Sequence, residues 1–167
     1  MSKRTIQIKW KGPYIYSQVK KQNDGGTKDD NWNGDDYGLY QIYGKHILVG
    51  KNALLYVGQA AEQTFSKRFR QHYNDWLKHE RGCRIYLGRI DTDPTKNKKW
   101  QKWHEDITMA EATLVYKYTP NYNSSLKQDY PKLTPSRILL IHKGNRGKLQ
   151  PKDRAPEDYE YKKLKER

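Results

Sequence analysis

The sequence predicts one α+β domain, in which a small three-stranded antiparallel sheet is flanked by helices and preceded by an N-terminal strand extension. Two strand-like runs in tandem are followed by an amphipathic helical pattern, a third strand-like run and a long helical pattern. This order is typical of helices packed on a small antiparallel sheet. The length of 167 residues suits one domain with its own core and is short for two.

The strands are predicted from alternation and composition. Ile6, Ile8 and Trp10 alternate with polar residues, which is the period-two pattern of a half-buried strand. Residues 22–36 are polar and rich in glycine, so they predict a loop. Three aromatic or β-branched runs predict the hairpin and the third strand: 37–43, 53–58 and 84–90.

Two helices are predicted from apolar residues at helical spacing. The first covers about 62–77, and the second covers about 98–118 with an expected interruption near Asp106. Pro120 is expected to end the second helix, because proline cannot continue it.

The domain boundaries follow from the C-terminal composition. A short strand is predicted within 133–141, and the charged segment that follows residue 150 carries two prolines. The expected organisation is therefore a single domain over 1–150 and an extended, charged tail over 151–167.

The charge predicts an acidic partner. Thirty-three Lys and Arg stand against 19 Asp and Glu, a formal net charge of +14. Residues 1–83 carry 14 basic and 8 acidic side chains, and residues 84–167 carry 19 and 11, so the excess is not confined to a basic arm. A basic body attracts polyanions by steering and counterion release, and a solvated surface is the alternative. Nucleic acid is the favoured partner.

Several function classes are excluded by what the sequence lacks. The single Cys83 leaves no internal disulfide and no multi-cysteine zinc site. The longest aliphatic run, 138–141, is far shorter than the roughly 20 residues of a membrane span. The sequence contains no glycine-rich phosphate loop, no zincin motif and no serine nucleophile elbow. The N-terminus has no apolar signal region, which predicts a protein of a reducing compartment.

The first helical pattern places two basic side chains beside apolar ones. Phe65, Phe69, His72 and Trp76 fall within one narrow stripe at about 100° per residue, with Arg68 at its edge. A functional pair is one interpretation of Arg68 and His72. The alternatives are a satisfied core histidine and an arginine that snorkels past the aromatic rings.

The second helical pattern carries a carboxylate on its apolar stripe. The stripe consists of Ile107, Ala110, Leu114 and Tyr118. Glu111 lies in its middle, and a buried carboxylate costs several kcal/mol, on the order of 2–7, unless it is paired, protonated or bound to a cation. An ion pair with Arg68, a metal ligand and an acid–base group remain alternative interpretations.

Two tripeptides on the predicted hairpin resemble the motifs that name the GIY-YIG nuclease family: Gly38-Leu39-Tyr40 and Tyr56-Val57-Gly58. Later residues resemble the rest of the family's motif set in the same order: Arg68, His72, Glu111 and, in Pro120-Asn121-Tyr122-Asn123, Asn123. The resemblance covers about residues 37–125. Leu39 and Val57 replace the isoleucines of the family motifs, and these replacements are close in volume.

The resemblance implies a divalent-metal-dependent endonuclease that hydrolyses phosphodiester bonds in double-stranded DNA, of the type II restriction kind. Glu111 would hold one Mg²⁺, with Mn²⁺ as a substitute, while water and phosphate complete the shell. The enzyme would cut both strands as a homodimer or by sequential nicking, with no membrane partner. It would be cytoplasmic, in a prokaryote or encoded by a phage.

The resemblance also implies a role for each remaining site residue. Tyr40 would orient or deprotonate the attacking water, and Tyr56 would position water or phosphate. Arg68 would contact the scissile phosphate, and Asn123 would fix the geometry of the site from behind. A neutral phenol is a poor base, so Tyr40 needs help from Arg68, His72 or the metal, and the final proton acceptor stays open.

Seven basic residues are candidate nucleic-acid contacts: Lys45, Lys51, Lys67, Arg70, Lys98, Lys99 and Lys102. Solvated helix faces are the alternative interpretation for the helical members, and ordinary sheet tyrosines are the alternative for the motif tyrosines. Two other functions remain open. One is a catalytically inactive nucleic-acid-binding protein with the GIY-YIG fold, and the other is a basic, RNA-associated structural protein.

Overall fold

The computed structural model of the chain describes residues 3–21, 37–90, 100–124 and 137–155. Within these ranges, six strands and three α-helices follow one another along the chain. The elements are β1 (Lys3–Tyr14), α1 (Tyr16–Lys21), β2 (Gly38–His46), β3 (Gly50–Ala60), α2 (Phe65–Asp75), a 3₁₀ turn (Leu77–His79), β4 (Arg84–Ile90), α3 (Trp100–Tyr118), β5 (Arg137–Gly144) and β6 (Lys152–Arg154). None of the helices in these ranges is both long and apolar enough to cross a membrane.

The six strands form one mixed sheet in the order β3-β2-β4-β1-β5-β6. The α+β class is correct, but the predicted small three-stranded antiparallel sheet is wrong. Strands β3, β2 and β4 form the expected antiparallel set, with Tyr40 opposite Gly58 and Leu87. The sheet continues beyond them because β1 pairs antiparallel with β4 and parallel with β5.

The N-terminal strand is therefore an interior strand and not an extension at the edge of the sheet. Its alternating residues Ile6, Ile8 and Trp10 are buried, as their pattern predicts. Periodicity identifies a strand but not its neighbours. The partner of Ile6 across the parallel pair is Leu140, which lies far away in the sequence.

The sheet separates two apolar clusters. Helix α3 contributes Trp103, Ile107 and Leu114 to the cluster that contains the buried residues of β1. Helices α1 and α2 contribute to the other cluster, which includes Phe69 and Tyr40. The two faces of β2 and β3 are thus covered by different helices, which bury most of the apolar side chains of these strands.

Helix α2 is shorter than its sequence pattern predicts. Thr64 is its N-cap and accepts a hydrogen bond from the Lys67 amide, while Trp76 lies at its C-terminal end. Residues Leu77–His79 continue as the 3₁₀ turn. Phe65, Phe69 and His72 are buried in the direction of the sheet, so His72 lies on the apolar face as the helical angle predicts.

Helix α3 is continuous, so the predicted interruption near Asp106 is wrong. Asp106 is only 4% exposed, and its Oδ1 lies 2.6 Å from Arg4 Nε. Burial raises the pKa of Asp106, while the charge of Arg4 acts to lower it. A polar residue inside this helix is thus satisfied by a partner on β1, and no local break in the helix is required.

The sheet extends past the predicted domain boundary at residue 150, because residues 152–154 form β6 beside β5. Asp153 is fully buried. Its carboxylate faces His142 Nε2 at 3.1 Å, the Tyr118 hydroxyl at 2.9 Å and the ammonium of Lys117. This network attaches the first part of the predicted tail to the domain. Residues 156–167 lie outside the described part of the chain.

Candidate functional site

The two motif strands bring their tyrosines and glycines together. Tyr40 is fully buried on β2 and lies directly across from Gly58 on β3. A Cβ atom at Gly58 would meet the Tyr40 hydroxyl and would lie 2.7 Å from Tyr56 Cε1. Gly38 approaches the Gly88 carbonyl in a similar way, at a φ of +153° that favours glycine. Gly58 therefore makes room for the two tyrosines, and Gly38 allows a close approach to the backbone of β4.

Two side chains of α2 contact the Tyr40 hydroxyl. His72 Nε2 lies 2.6 Å from the hydroxyl oxygen, and Arg68 Nε donates to the same oxygen at 3.2 Å. Residues 68 and 72 are one helical turn apart, so both side chains leave the same face of α2. The Arg-x-x-x-His spacing has the geometric effect of enclosing one phenolic oxygen.

The residue that caps the C-terminus of α2, Trp76, orients the histidine. Trp76 Nε1 donates to His72 Nδ1 at 3.3 Å. An indole N–H can only donate, so Nδ1 must be an acceptor, and the proton of the neutral ring lies on Nε2. His72 therefore donates its Nε2–H to Tyr40. Burial and the Arg68 charge lower the pKa of His72 to about 4, which keeps the ring neutral at pH 7.

Tyr40 and Tyr56 differ in their ability to ionise. Their rings stack with centroids 6.0 Å apart and an interplanar angle of 10°. Burial raises the pKa of Tyr40 far above its ordinary value, and a negative charge on Tyr56 would raise it further. Burial also raises the pKa of Tyr56. Arg68 acts to lower the pKa of both tyrosines, and Tyr40 acts to lower that of Tyr56 as well. Of the two, Tyr56 loses its proton more readily.

Arg68 is the central cation of the site. Its Nε donates to the Tyr40 hydroxyl, and its positive charge acts to lower the pKa of Tyr56. Its Nη1 also donates to Gln71 Oε1 at 3.0 Å, which holds the guanidinium along α2. The same positive charge lowers the pKa of Glu111, so Arg68 couples electrostatically to both tyrosines and to the carboxylate of α3.

Glu111 lies in a setting that favours its neutral form. Burial raises the pKa of its carboxyl to about 7, against the opposing effects of Arg68 and of hydrogen bonds from Gln59. The Oε1 atom of Gln59 is buried and has no hydrogen-bond partner among the described residues. A half-ionised carboxylate beside an unpaired amide oxygen is a suitable pair of ligands for a hard cation such as Mg²⁺. The residues present therefore fit the metal that the resemblance implies.

The candidate Mg²⁺ site at Glu111 and Gln59 has few protein ligands. In the ranges 3–21, 37–90, 100–124 and 137–155, no group of three or more His, Cys, Asp or Glu side chains could hold a metal. Mg²⁺ binds with one or two carboxylates and keeps several waters, so Glu111 and Gln59 suffice for that arrangement.

Asn123 acts on the strand and not on the tyrosine hydroxyls. Its Oδ1 accepts from the Val57 amide at 3.0 Å, and its Nδ2 donates to the Val57 carbonyl at 2.8 Å. This bidentate pair holds the segment after α3 against β3, between Tyr56 and Gly58. The arrangement agrees with a role behind the site, because it fixes the backbone that carries both motif residues.

An open cleft of about 570 Å³ lies over this cluster. Its lining residues come from β3, α2 and the segment after α3: Tyr56, Arg68, Gln71, His72, Asp75, Trp76, Tyr122 and Ser124. Tyr40 is not among them, because it lies beneath Arg68 and His72. The tyrosine that a bound molecule would meet in this cleft is therefore Tyr56.

Several residues of the site are absent from the sequence-based set, among them Gln59, Trp76 and Tyr122. Trp76 falls within the apolar stripe of α2, and Tyr122 lies inside the Pro-x-x-Asn segment, so both had a positional signal. Tyr122 donates to Glu80 Oε1 at 2.6 Å and packs edge-on against Trp76. Gln59 adjoins Gly58 but had no signal, because a polar residue on an edge strand is common.

The basic candidates do not form one cluster. Lys45, Lys51, Lys67, Arg70 and Lys102 are exposed, and Lys98 and Lys99 lie outside the described residues. Lys45 and Lys51 flank the β2–β3 turn, Lys67 and Arg70 lie on α2, and Lys102 lies on α3. The Arg70 guanidinium bonds to Ser66 Oγ at 3.2 Å, away from the Arg68 face.

Comparison with known proteins identifies no relative. No protein-family model, no curated protein and no solved structure matches this chain.

Proposed function

We propose that this protein is a divalent-metal-dependent endonuclease of the GIY-YIG type that hydrolyses phosphodiester bonds in double-stranded DNA, as type II restriction enzymes do. The observation that carries the proposal is the position of Arg68. One guanidinium bonds to Tyr40, acts electrostatically on Tyr56 and on Glu111, and lines an open cleft. Such a cation, set beside a base and a carboxylate, matches the needs of phosphodiester hydrolysis.

Arg68 binds the scissile phosphate in this mechanism. A guanidinium offers several N–H donors in a planar fork, and charge-assisted bonds to phosphate oxygens are stronger than neutral ones. Two of its neighbours are tyrosine hydroxyls with raised pKa values, so they do not neutralise its charge at pH 7. The positive charge remains free to offset the negative charge that develops on the phosphate in the transition state.

Tyr56 orients the attacking water. Because its pKa is raised, Tyr56 is neutral at pH 7, and it can accept the proton of the water only after its own hydroxyl proton has passed to solvent through the open cleft. It lines the cleft, and Tyr40 and Arg68 act to lower its pKa, as groups that stabilise a phenolate do. Tyr40 acts through Tyr56, because Tyr40 is buried and receives donors from His72 and Arg68. The sequence-based expectation gave the water to Tyr40, and the geometry favours Tyr56 for that role.

His72 is a donor and not the final base. Its Nδ1 is occupied by Trp76, and its Nε2 carries the proton that it shares with Tyr40. A ring with a pKa of about 4 also has little tendency to gain a proton at pH 7. His72 therefore supports the tyrosine pair, and the proton of the water passes to the phenolate form of Tyr56, which is the minor form at pH 7.

Glu111 and Gln59 would hold the divalent cation. When bound there, Mg²⁺ would stabilise negative charge on the leaving 3′ oxygen. The carboxyl of Glu111, with a pKa of about 7, must lose its proton for this role.

Plasmid cleavage tests the proposal. We expect purified protein with Mg²⁺ to convert supercoiled DNA to nicked and linear forms, and EDTA to prevent this. Arg68→Ala and Tyr56→Phe should each lower the rate at least about a hundredfold, the range of one lost transition-state contact. Lys78→Ala is the matched control, because Lys78 is an exposed cation on the turn after α2, does not line the cleft and is not among the candidate DNA contacts. Absence of cleavage with Mg²⁺ and with Mn²⁺ would refute the enzymatic proposal.

The second candidate is a nucleic-acid-binding protein without catalysis. The full burial of Tyr40 favours it, since a motif tyrosine that no bound water could reach would then be part of the core. In that case DNA binding would be lost at high salt, and Arg68→Ala would weaken binding without any cleavage to lose. The same plasmid assay, run beside a gel-shift assay, distinguishes the two candidates.

A further inference from the structure

The turn between β2 and β3 presents three consecutive apolar side chains to solvent. Ile47, Leu48 and Val49 are 92%, 88% and 61% exposed. Isolated exposed apolar residues are ordinary, but a run of three at the apex of a hairpin is not. Among the described residues, nothing shields these three side chains from solvent. The turn is therefore available to an external partner.

The conformation of this turn is held by one side chain. His46 Nδ1 accepts from the backbone amides of Leu48 and Val49, each at 3.3 Å. The two amides are satisfied from inside the turn, so the apolar side chains point away from the strand ends. A rigid projection loses less conformational entropy on insertion than a flexible loop does.

Two lysines flank the apolar apex of the turn. Lys45 and Lys51 are exposed on the two strands that lead into and out of the turn. The chain as a whole carries +14. An apolar tip between two cations is complementary to a partner that offers a stacked apolar interior between two lines of negative charge, which is the character of duplex DNA.

Aromatic contacts connect the turn to the cleft. His46 packs against Tyr122 with ring centroids 6.1 Å apart, Tyr122 against Trp76 at 5.0 Å, and Trp76 against His72 at 5.8 Å. Tyr122, Trp76 and His72 also line the cleft. A ligand that occupies both places must be extended, and a polymer with phosphates at one place and bases at the other meets that condition.

We propose that Ile47, Leu48 and Val49 form a wedge that inserts between base pairs of the DNA bound at the cleft, while Lys45 and Lys51 contact phosphates on either side. This inference rests on the proposed function, since it takes DNA as the polymer in the cleft. Apolar wedges of this kind unstack one base step and kink the duplex by roughly 20–90°. About six residues of β2 separate Tyr40 from the turn, or about 20 Å, so the unstacked step lies within about six base pairs of the cut.

DNA topology tests the wedge without requiring cleavage. The unsubstituted full-length protein, kept from cleaving by EDTA, is bound to closed circular plasmid, which a metal-independent topoisomerase then relaxes. We expect bound protein to shift the distribution of topoisomers, because a wedge unwinds the step that it enters. The variant in which Ile47, Leu48 and Val49 are all replaced by Ser should bind within about tenfold of the parent and lose the shift.

A matched control separates the wedge from charge. Lys45→Ala with Lys51→Ala should weaken binding and reduce its salt dependence, yet keep the topoisomer shift at saturation. Because all five side chains are exposed, both variants should keep the parent's Tm.

Each contrary outcome has its own meaning. If the parent binds in a gel-shift assay but leaves topology unchanged, or if the triple-serine variant unwinds as well as the parent, the wedge is refuted and the nuclease proposal is untouched. Failure of the parent to bind plasmid at all refutes the proposed function itself. A loss of dimer, or of binding to phosphatidylcholine–phosphatidylglycerol vesicles, in the serine variant with unchanged unwinding would assign the turn to a second copy or to a lipid surface.

Discussion

Trp76 fixes the protonation of His72 by a single hydrogen bond, from the indole Nε1 to the imidazole Nδ1 at 3.3 Å. The proton of the neutral ring is thereby directed from Nε2 to Tyr40. His72 is a hydrogen-bond donor in this arrangement. The proposed acceptor for the proton of the attacking water is therefore the phenolate of Tyr56 and not His72.

A second tryptophan–histidine hydrogen bond of the same kind lies elsewhere in the domain. Trp10 Nε1 donates to His142 Nδ1 at 2.9 Å, and His142 Nε2 faces the Asp153 carboxylate at 3.1 Å. There the buried acceptor is a carboxylate with several partners, and the result is structural. At His72 the acceptor is a phenol beside an open cleft, and the result is a candidate catalytic group.

Replacing Trp76 by Phe is expected to release the histidine. Without the indole donor, Nδ1 is left unpaired and the ring can exchange protons between its two nitrogens. We expect the ¹⁵N chemical shifts of the His72 ring to move from the Nε2–H pattern to a mixture, and cleavage to fall about tenfold, as for the loss of about one hydrogen bond. Trp100→Phe is the control, since Trp100 is an exposed tryptophan far from this ring. Unchanged ring shifts in Trp76→Phe would contradict the assignment of Trp76 as a positioning residue.

Metal binding should depend on the ionisation of Glu111. Burial raises the pKa of this carboxyl to about 7, above its ordinary value, so the protonated form stabilises the fold at low pH and this contribution is lost as the pH rises through 7. Mg²⁺ competes with that proton. The increase in Tm caused by Mg²⁺ should therefore be small at pH 6 and large at pH 8.

The variant Glu111→Gln separates this effect from general changes with pH. It should show no Mg²⁺-dependent Tm increase at any pH, and without metal it should be more stable than the parent at pH 8, where the parent carries a buried charge. An equal Mg²⁺ effect on Tm in the parent and in Glu111→Gln would exclude Glu111 as the ligand.

Acid should destabilise the protein partly through His72. Its folded pKa of about 4 lies below the ordinary 6.5, so the neutral ring contributes its full stability above pH 6.5 and loses it as the pH falls through 4. The difference corresponds to at most about 3 kcal/mol in the free energy of unfolding. Denaturant melts of the parent and of His72→Gln between pH 4 and 7 measure it. Parallel pH profiles for the two proteins would contradict the buried, neutral histidine.

The domain should end after β6 and not at residue 150. Removing residues 151–167 deletes Asp153 and leaves Lys117 and His142 without their buried partner, which should cost at least about 3 kcal/mol of stability. Removing only residues 156–167 keeps β6 and is the matched control, with an expected Tm close to that of the full chain. Equal Tm values for the two truncated chains would show that β6 does not support the fold.

Local patterns in the sequence identified α2, α3 and most strands, but not the short helix α1 (Tyr16–Lys21). Ile6, Ile8 and Trp10 are buried on β1, and residues 84–90 form β4 as their composition predicts. These elements depend on alternation and helical spacing within a few residues, which the chain carries locally. The motif set also predicted which residues gather at one site, since Tyr40, Tyr56, Arg68 and His72 meet within hydrogen-bonding or ring contact.

Contacts between distant segments were decided by the tertiary structure. The interior place of β1 depends on its pairing with β5, and the survival of α3 through Asp106 depends on Arg4. The difference between Tyr40 beneath the cleft and Tyr56 at its surface is also tertiary, because both tyrosines have the same local pattern. By itself the sequence determined the elements and the chemical groups of this protein, because period and residue type act locally. Only the packed structure decided burial, protonation and access, because each depends on which distant side chain removes water from a given atom.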